Sequence, residues 1–291
     1  MNKIVVLGSS GYIGSNFIHF LYNKKIPFKA MIHSQKLSVN CEVFNGDILN
    51  KKTLENNISS DDMIVNFVGQ IDNDVSKFID INIKGILNLL NIAIKKKPKK
   101  IILISSINVY GNSDTPSTES DQLFPKTQYG LIKLLTEKIC ENYASLHNLN
   151  ITILRLAHVY GPSKNNEIIS NIISSLYDPN YELILNNNGN QQRDFLYIED
   201  VINGIISAIK TNHKGFNIFN ISSGQRYSLN QIIEMIAKIS GKSVNVKYIS
   251  QHKDENSIWA NNFLAKEKLD FLPKIELFEG LKLSIKNYRN D

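Results

Sequence analysis

The sequence predicts an α/β fold: a parallel, doubly wound sheet followed by a smaller, mixed α/β C-terminal region. Three observations predict it. A short strand of β-branched residues runs straight into a glycine-rich turn and an apolar helical pattern within the first 25 residues. Apolar strands then alternate with helical segments up to Pro162, as a sheet built from crossover units requires. Beyond Pro162 that regularity lapses. Residues 1–162 are therefore expected as one domain, rejoined by a strand near 216–224, and 163–291 as mainly a second.

The first strand, Lys3 to Leu7, leads into Gly8-Ser9-Ser10-Gly11-Tyr12-Ile13-Gly14 and then a helix through Phe17, Ile18 and Leu21. Glycines at 8, 11 and 14 permit a tight turn, close approach of a pyrophosphate, and close helix–strand packing. Strand, glycines and helix in this order point to a Rossmann-type dinucleotide site, with Gly8, Ser10, Gly11, Tyr12, Ile13 and Gly14 against the cofactor. The next strand, Phe28 to Ile32, should end at the adenosine ribose, where an NAD site places an acid. Here stands His33-Ser34-Gln35-Lys36, with no acid from Lys29 through Asn40. NADP is the expected cofactor, its 2′-phosphate met by His33, Ser34 and Lys36, with NAD as the other choice. Further strands end at Asp47 and Ile48 and at Phe67, Val68 and Gly69, each at a cofactor-facing position. A helix through Asn82 and Leu90 then leads to the central strand.

That strand, Ile101 to Ile104, continues as Ser105-Ser106-Ile107-Asn108-Val109-Tyr110-Gly111, and a polar loop separates it from Tyr129-Gly130-Leu131-Ile132-Lys133. Residues four apart share one helix face, so Tyr129 and Lys133 project together. Ser106 lies just past a strand end, where such sheets present groups to ligands. A hydroxyl, a phenol and an ammonium converging there can polarise a carbonyl and hand it a proton. The other Tyr-x-x-x-Lys, Tyr160 with Lys164, contains Gly161 and Pro162, which break a helix and separate the pair.

The strand Ile151 to Arg155 runs on through His158 to Tyr160-Gly161-Pro162, with Arg155 read as a paired core residue and His158 on the ligand side. The second half holds a helix near Glu167 to Leu176 and a short strand at Glu182 to Leu185. One strand across Gln192 to Tyr197 turns into the helix Val201 to Lys210. A returning strand at Phe216 to Ile221 and helices near Leu229 to Ile239 and Phe278 to Tyr288 complete it.

Composition removes several alternatives. The chain has 291 residues, formal net charge +6, two cysteines, and no apolar run near the ~20 residues of a membrane span. No membrane association is expected. Cys41 and Cys140 lack metal-like spacing and suit a reducing cytoplasm, and the apolar start is too short for a signal peptide. The run Lys95-Lys96-Lys97-Pro98-Lys99-Lys100 falls between a helix end and a strand, where lysines complement the helix C-terminus. It has no interleaved aromatics for stacking, so no nucleic-acid partner is expected.

Together these segments resemble the extended short-chain dehydrogenase/reductases, the group of nucleotide-sugar epimerases, dehydratases and ketoreductases. The resemblance rests on Gly8, Gly11 and Gly14; Asp47; Asn82 with Gly85; Ser105-Ser106 before Val109-Tyr110-Gly111; Tyr129 with Lys133; Leu154-Arg155 before Val159-Tyr160-Gly161-Pro162; and Arg193-Asp194-Phe195. It implies Ser106, Tyr129 and Lys133 as the catalytic group. Tyr129 would exchange the proton, while Lys133 would hold the nicotinamide ribose and lower the phenol pKa. It also implies a nucleotide-diphosphate sugar as partner, met by Ser106, Asn108, His158 and Arg193, and a second domain that binds it. Dehydratases of the group carry acids directly after the catalytic hydroxyl; Ile107 and Asn108 stand there instead. The segment from Asp254 to Asn261 lacks the second phosphate-binding arginine often found late in the family; Arg226 or Arg289 is the candidate to replace it, with nothing in the sequence to show which. The reading that follows is a 4-ketoreductase of a 4-keto-6-deoxyhexose nucleotide. The alternatives are a 4-epimerase with retained NAD and a non-catalytic cofactor-sensing protein. The resemblance also implies a homodimer, formed through helices that carry Ile86, Leu89, Leu90, Leu134, Leu135 and Ile139.

Overall fold

The computed structural model describes residues 3–33, 37–69, 74–162, 167–178, 181–249 and 257–288. Its contacts divide the chain into two interleaved units: one of residues 1–109, 123–155 and 202–219, the other of 110–122, 156–201 and 220–291.

The first unit is built on a seven-stranded sheet. In chain order its first part runs β1 (Ile4–Leu7), α1 (Tyr12–Asn23), β2 (Phe28–Ile32), β3 (Glu42–Asn45), α2 (Lys51–Asn57), β4 (Met63–Asn66) and α3 (Val75–Ile79). A π-helical turn, Asp80–Lys84, joins α3 to α4 (Gly85–Lys96); β5 (Lys100–Ser106), α5 (Gln128–His147) and β6 (Ile151–Leu156) follow. The spatial order, with the later β11 (Phe216–Ile221) at one edge, is β11-β6-β5-β4-β1-β2-β3, and the pairings from β5 through β3 are parallel. Order 3-2-1-4-5-6 is the doubly wound arrangement. It reverses direction between β1 and β4, the point where such sheets bind ligands.

Strands that read as continuous apolar runs are those covered on both faces. All four residues of β1 and all six of β6 are buried. The helices supply the cover through one face each: Phe17, Ile18 and Leu21 of α1, and Ile86, Leu89, Leu90 and Ala93 of α4. Ile86, Leu89 and Leu90 therefore belong to this unit's own core, at 4%, 0% and 0% exposure, and cannot form an intersubunit face. The lysine cluster has the local roles its position suggests. Lys97 ends α4 in the left-handed conformation (φ 48°), and Lys95 and Lys99 pair with Glu55 and Asp61. The buried Lys100 ammonium donates to the carbonyls of Ala208 and Thr211.

The second unit contains β7 (His158–Tyr160), α6 (Ile168–Ser175), β8 (Leu183–Asn186), β9 (Gln192–Arg193) and β10 (Phe195–Tyr197), from which α7 (Ile198–Lys210) departs. After β11 come β12 (Tyr227–Ser228), α8 (Leu229–Ser240), β13 (Val246–Ile249), α9 (Phe263–Leu269) and α10 (Leu277–Tyr288). Its strands form pairs: β7 with β10, β9 with β12, and β8 with β13. The single strand expected across Gln192 to Tyr197 is two, because Asp194 turns inward between them. Its carboxylate accepts from the backbone N–H groups of Ser223, Gly224 and Ala260 and from the Ser223 hydroxyl. Ser228 and Gln231 form a reciprocal capping box that starts α8.

Candidate functional site

The turn after β1 has the features of an anion cradle. A Cβ on Gly14 would stand 2.1 Å from the Gly8 carbonyl oxygen, so only glycine lets α1 start this close to the strand. No side chain among the described residues caps α1 at Gly11, so the positive dipole end of the helix meets the turn without a side-chain cap, as an anion site requires. Ser10 and Gly11 are exposed, while the buried Ser9 hydroxyl ties the turn to the Met31 carbonyl at 2.7 Å. These features fit a pyrophosphate. At the ends of β2 and β3, His33 Nε2 stands 3.7 Å from Asp47 Oδ2, while Asp47 Oδ1 accepts from the Leu49 N–H at 2.8 Å. Ser34 and Lys36 lie outside the described residues. Past β4, Asn66 accepts from the Val68 N–H at 3.0 Å, and Phe67 packs on Phe17 with ring centroids 5.3 Å apart. Ile48 is buried, its carbonyl held by the Asn88 side chain at 3.1 Å.

Beside this cradle the structure assembles Ser106, Asn108, Tyr129, Lys133, Asn82 and Gly69. Ser106 ends β5 and is buried, and its Oγ accepts from both the backbone N–H (3.2 Å) and the side-chain amide (3.0 Å) of Asn108. The hydroxyl hydrogen is thereby left to point elsewhere. Thr127 caps α5 by accepting from the Gly130 N–H at 3.0 Å. Tyr129 is half-buried, and Lys133, four residues on, is almost fully buried. The Lys133 ammonium donates to the Ile104 carbonyl at 3.0 Å and lies 5.6 Å from the Tyr129 ring centroid. Burial pushes its pKa down to about 8, against the opposing pull of the Glu137 carboxylate. A Cβ on Gly69 would meet Lys133 Nζ at 2.9 Å and Asn82 Oδ1 at 3.2 Å, which brings the three together. Asn82 sits in the π-turn, buried, with its amide donating to the Phe78 carbonyl at 2.9 Å.

His158 and Arg193 belong to the second unit. Burial, with the Arg193 charge nearby, drives the His158 pKa down to about 3, so the ring is neutral; its Nδ1 is buried with no partner among the described residues. Glu167 and Arg193 pull each other towards their charged forms while burial opposes both. Arg193 lies in register with Tyr227 on one side and Ile258 on the other. The next residues along, Arg226 and Trp259, stack with 4.8 Å between guanidinium and ring. Arg289 lies outside the described residues.

The sequence reading missed Glu137 and Glu167. Glu137 carried a signal: it is an acid four residues after Lys133, on the buried face of α5. Glu167 carried none, since its neighbour Arg193 is 26 residues away in the chain. Among the described residues no cluster of His, Cys, Asp and Glu could hold a metal ion, and no helix is long and apolar enough to cross a membrane.

Comparisons with known proteins agree with this geometry. The chain is 33% identical over 212 residues to a UDP-glucuronate 4-epimerase of Thermodesulfobacterium geofontis, a match spanning 72% of this chain and 65% of that one. It is 28% identical to a putative UDP-glucose 4-epimerase of Methanocaldococcus jannaschii over 99% of both chains. A crystal structure of UDP-glucuronic acid 4-epimerase from Bacillus cereus, in complex with UDP-glucuronic acid and NAD, superposes with a TM-score of 0.89. It is 26% identical and covers 99% of each chain. Residues 4–222 match the model of the NAD dependent epimerase/dehydratase family, and the chain belongs to that family.

Proposed function

We propose that this protein is a nucleotide-sugar 4-epimerase that works with a retained NAD. The observation that carries the reading is the convergence of Ser106, Tyr129 and Lys133 beside the glycine cradle, in a chain whose relatives include proteins named as UDP-sugar 4-epimerases. Bound, NAD supplies a reversible hydride acceptor at the sugar's C4. Gly8 to Gly14 hold its pyrophosphate, Asp47 and Ile48 its adenine end, and Asn82 and Lys133 its nicotinamide ribose. Tyr129 takes the proton of the C4 hydroxyl and later returns it. Ser106, its oxygen held by Asn108, donates to the same sugar oxygen. Lys133 keeps a positive charge beside the phenol and so favours the phenolate. In the second unit, which we read as substrate-binding, Arg193 takes the diphosphate by bidentate bonds, with Arg226 as a second cation.

Dehydration is disfavoured by the absence of acids at Ile107 and Asn108. The relatives fit an epimerase better than the ketoreductase expected from sequence. They also favour NAD over NADP, although the sequence carries no acid from Lys29 through Asn40, where an NAD site places one. A homodimer is supported by large apolar side chains exposed on α3 and α5: Val75, Ile79, Leu131 and Leu135, between 44% and 56% exposed. A monomer mass independent of concentration in sedimentation would refute it.

The test of function is to purify the protein with whatever dinucleotide it retains and incubate it with UDP-glucuronate and UDP-glucose. The C4 epimer should form with no net change in NADH absorbance. Stoichiometric oxidation of added NADPH with a 4-keto substrate, and no epimer, would restore the ketoreductase.

A further inference from the structure

We propose that the buried Glu137–Arg155 pair, together with Ser105, is the positioning support of Lys133: it fixes the register of α5 on β5 and holds the lysine charged beside Tyr129. The inference rests on Tyr129 being the proton-exchanging group of the proposed epimerase.

The geometry is a clamp. Glu137 and Arg155 are 2% and 1% exposed, and Arg155 is among the largest fully buried side chains of the protein. Arg155 Nε donates to both carboxylate oxygens at 3.1 Å, and Nη2 donates to Oε2 at 2.7 Å. The Ser105 hydroxyl donates to Oε1. One carboxylate on α5 thus binds β5 through Ser105 and β6 through Arg155. One turn earlier on α5, Lys133 binds the Ile104 carbonyl of β5. Consecutive residues of β5 are therefore tied to consecutive turns of α5, and the next residue of that strand is Ser106. The same two contacts set the spacing between Ser106 and the helix that bears Tyr129.

Stability alone is a poor reason to bury this pair. Removing two charges from water costs several kcal/mol per ion, and apolar replacements of such pairs are often neutral or stabilising. Lys133 gives the pair a second use. Tyr129 and Glu137 face the ammonium from its own helix, and Arg155 stands behind Glu137 on β6. Among the described residues, the π-turn and the loop after β4 bring the neutral Asn82 and Gly69 against it. Burial drives Lys133 towards its neutral amine, and the Glu137 carboxylate is the group that opposes this. Without it the amine would be neutral at a lower pH and would no longer favour a phenolate on Tyr129.

The experiment compares Glu137→Gln with the double variant Glu137→Leu/Arg155→Met, which removes both charges at once, so that neither is left buried without the other. Tyrosinate ultraviolet absorbance is titrated in the NAD-loaded protein, and each variant is referenced to its own Tyr129→Phe counterpart. Both variants should raise the Tyr129 midpoint by about one pH unit, about tenfold less phenolate at a fixed pH. The acid limb of the kcat profile should move by the same amount, and the double variant should melt at or above the parent's temperature. A folded double variant with unchanged midpoint and pH profile overturns the proposal. So does a double variant that cannot fold, which assigns the pair to stability. A parent protein with no absorbance specific to Tyr129 overturns it together with the reading on which it rests.

Discussion

Replacing Gly130 by alanine puts a methyl group 2.5 Å from the Asn108 carbonyl oxygen, 3.1 Å from its carbonyl carbon and 3.0 Å from Pro125 Cβ. Two of these neighbours are backbone, so no flexible side chain can give way. Reaching ordinary contact at 3.4 Å requires the oxygen and the methyl to part by 0.9 Å. Either the turn bearing Asn108 moves, releasing Ser106 from its two donors, or the start of α5 moves and takes Tyr129 with it. A displacement near 1 Å at reacting groups costs on the order of 10²-fold in rate. Stability changes less: overpacking costs ~1–3 kcal/mol, and removing a helical glycine returns up to ~1 kcal/mol. Gly130→Ala should therefore fold, keep the dinucleotide that the proposed reading places on the Gly8–Gly14 turn, and lose about 10²-fold in kcat. Thermal melting, retained NAD after gel filtration and epimer formation measure the three quantities. Unchanged turnover in the folded variant would refute the close approach of α5 to the Asn108 turn as a requirement of the site.

Other consequences are as direct. On the proposed mechanism Tyr129→Phe keeps the ring and removes the proton-exchanging oxygen, so epimer formation should fall by ~10²–10⁴-fold while any retained dinucleotide and the melting temperature hold. His158 has a folded pKa of about 3 against an ordinary 6.5, so the unfolded chain binds its proton first as pH falls. That contribution to stability is complete above pH 6.5 and is lost towards pH 3, about 2 kcal/mol of it by pH 5. Urea midpoints at pH 7 and pH 5 should differ less in His158→Gln than in the parent. His33→Asp places a carboxylate where the proposed site has the adenosine ribose, so that it would accept from the hydroxyls and repel a 2′-phosphate. NAD should then outcompete NADP more strongly in equilibrium binding, with some affinity lost to repulsion from Asp47, 3.7 Å from the present ring.

What could be read from the sequence is what depends on neighbours close along the chain. The strand, glycine turn and helix of residues 4–23 lie within twenty residues, and Tyr129 and Lys133 share a helical turn, so their grouping followed from spacing. Arg155 was recognisable as a paired core residue because it interrupts an otherwise apolar strand, but its partner Glu137 is fixed only by the packing of α5 on β6. The break at Asp194 was hidden for the same reason: its donors lie 29 to 66 residues further on. Short elements such as α2, β12 and β13 carry too few residues for periodicity to register. Ile86, Leu89 and Leu90 show the limit of pattern reading on helices. An apolar stripe fits a neighbouring subunit as well as it fits the sheet beneath, and only the fold decided for the sheet.

The π-turn at Asp80–Lys84 has an evolutionary consequence. One residue of α-helix is about 100° of rotation, so a π-turn acts as a phase shift between the segments it joins. Deleting any single residue from 80–84 would leave an unbroken α-helix of ordinary appearance. It would also swing 75–79 by about 100° around the axis of 85–96. Phe78, now facing inward, would be carried off the core, and the exposed Val75 and Ile79 would take new bearings. A one-residue gap here between this chain and a relative is thus a change of site geometry rather than a harmless length variation. On the proposed reading, in which Asn82 holds the nicotinamide ribose, such a gap would also alter the grip on the cofactor.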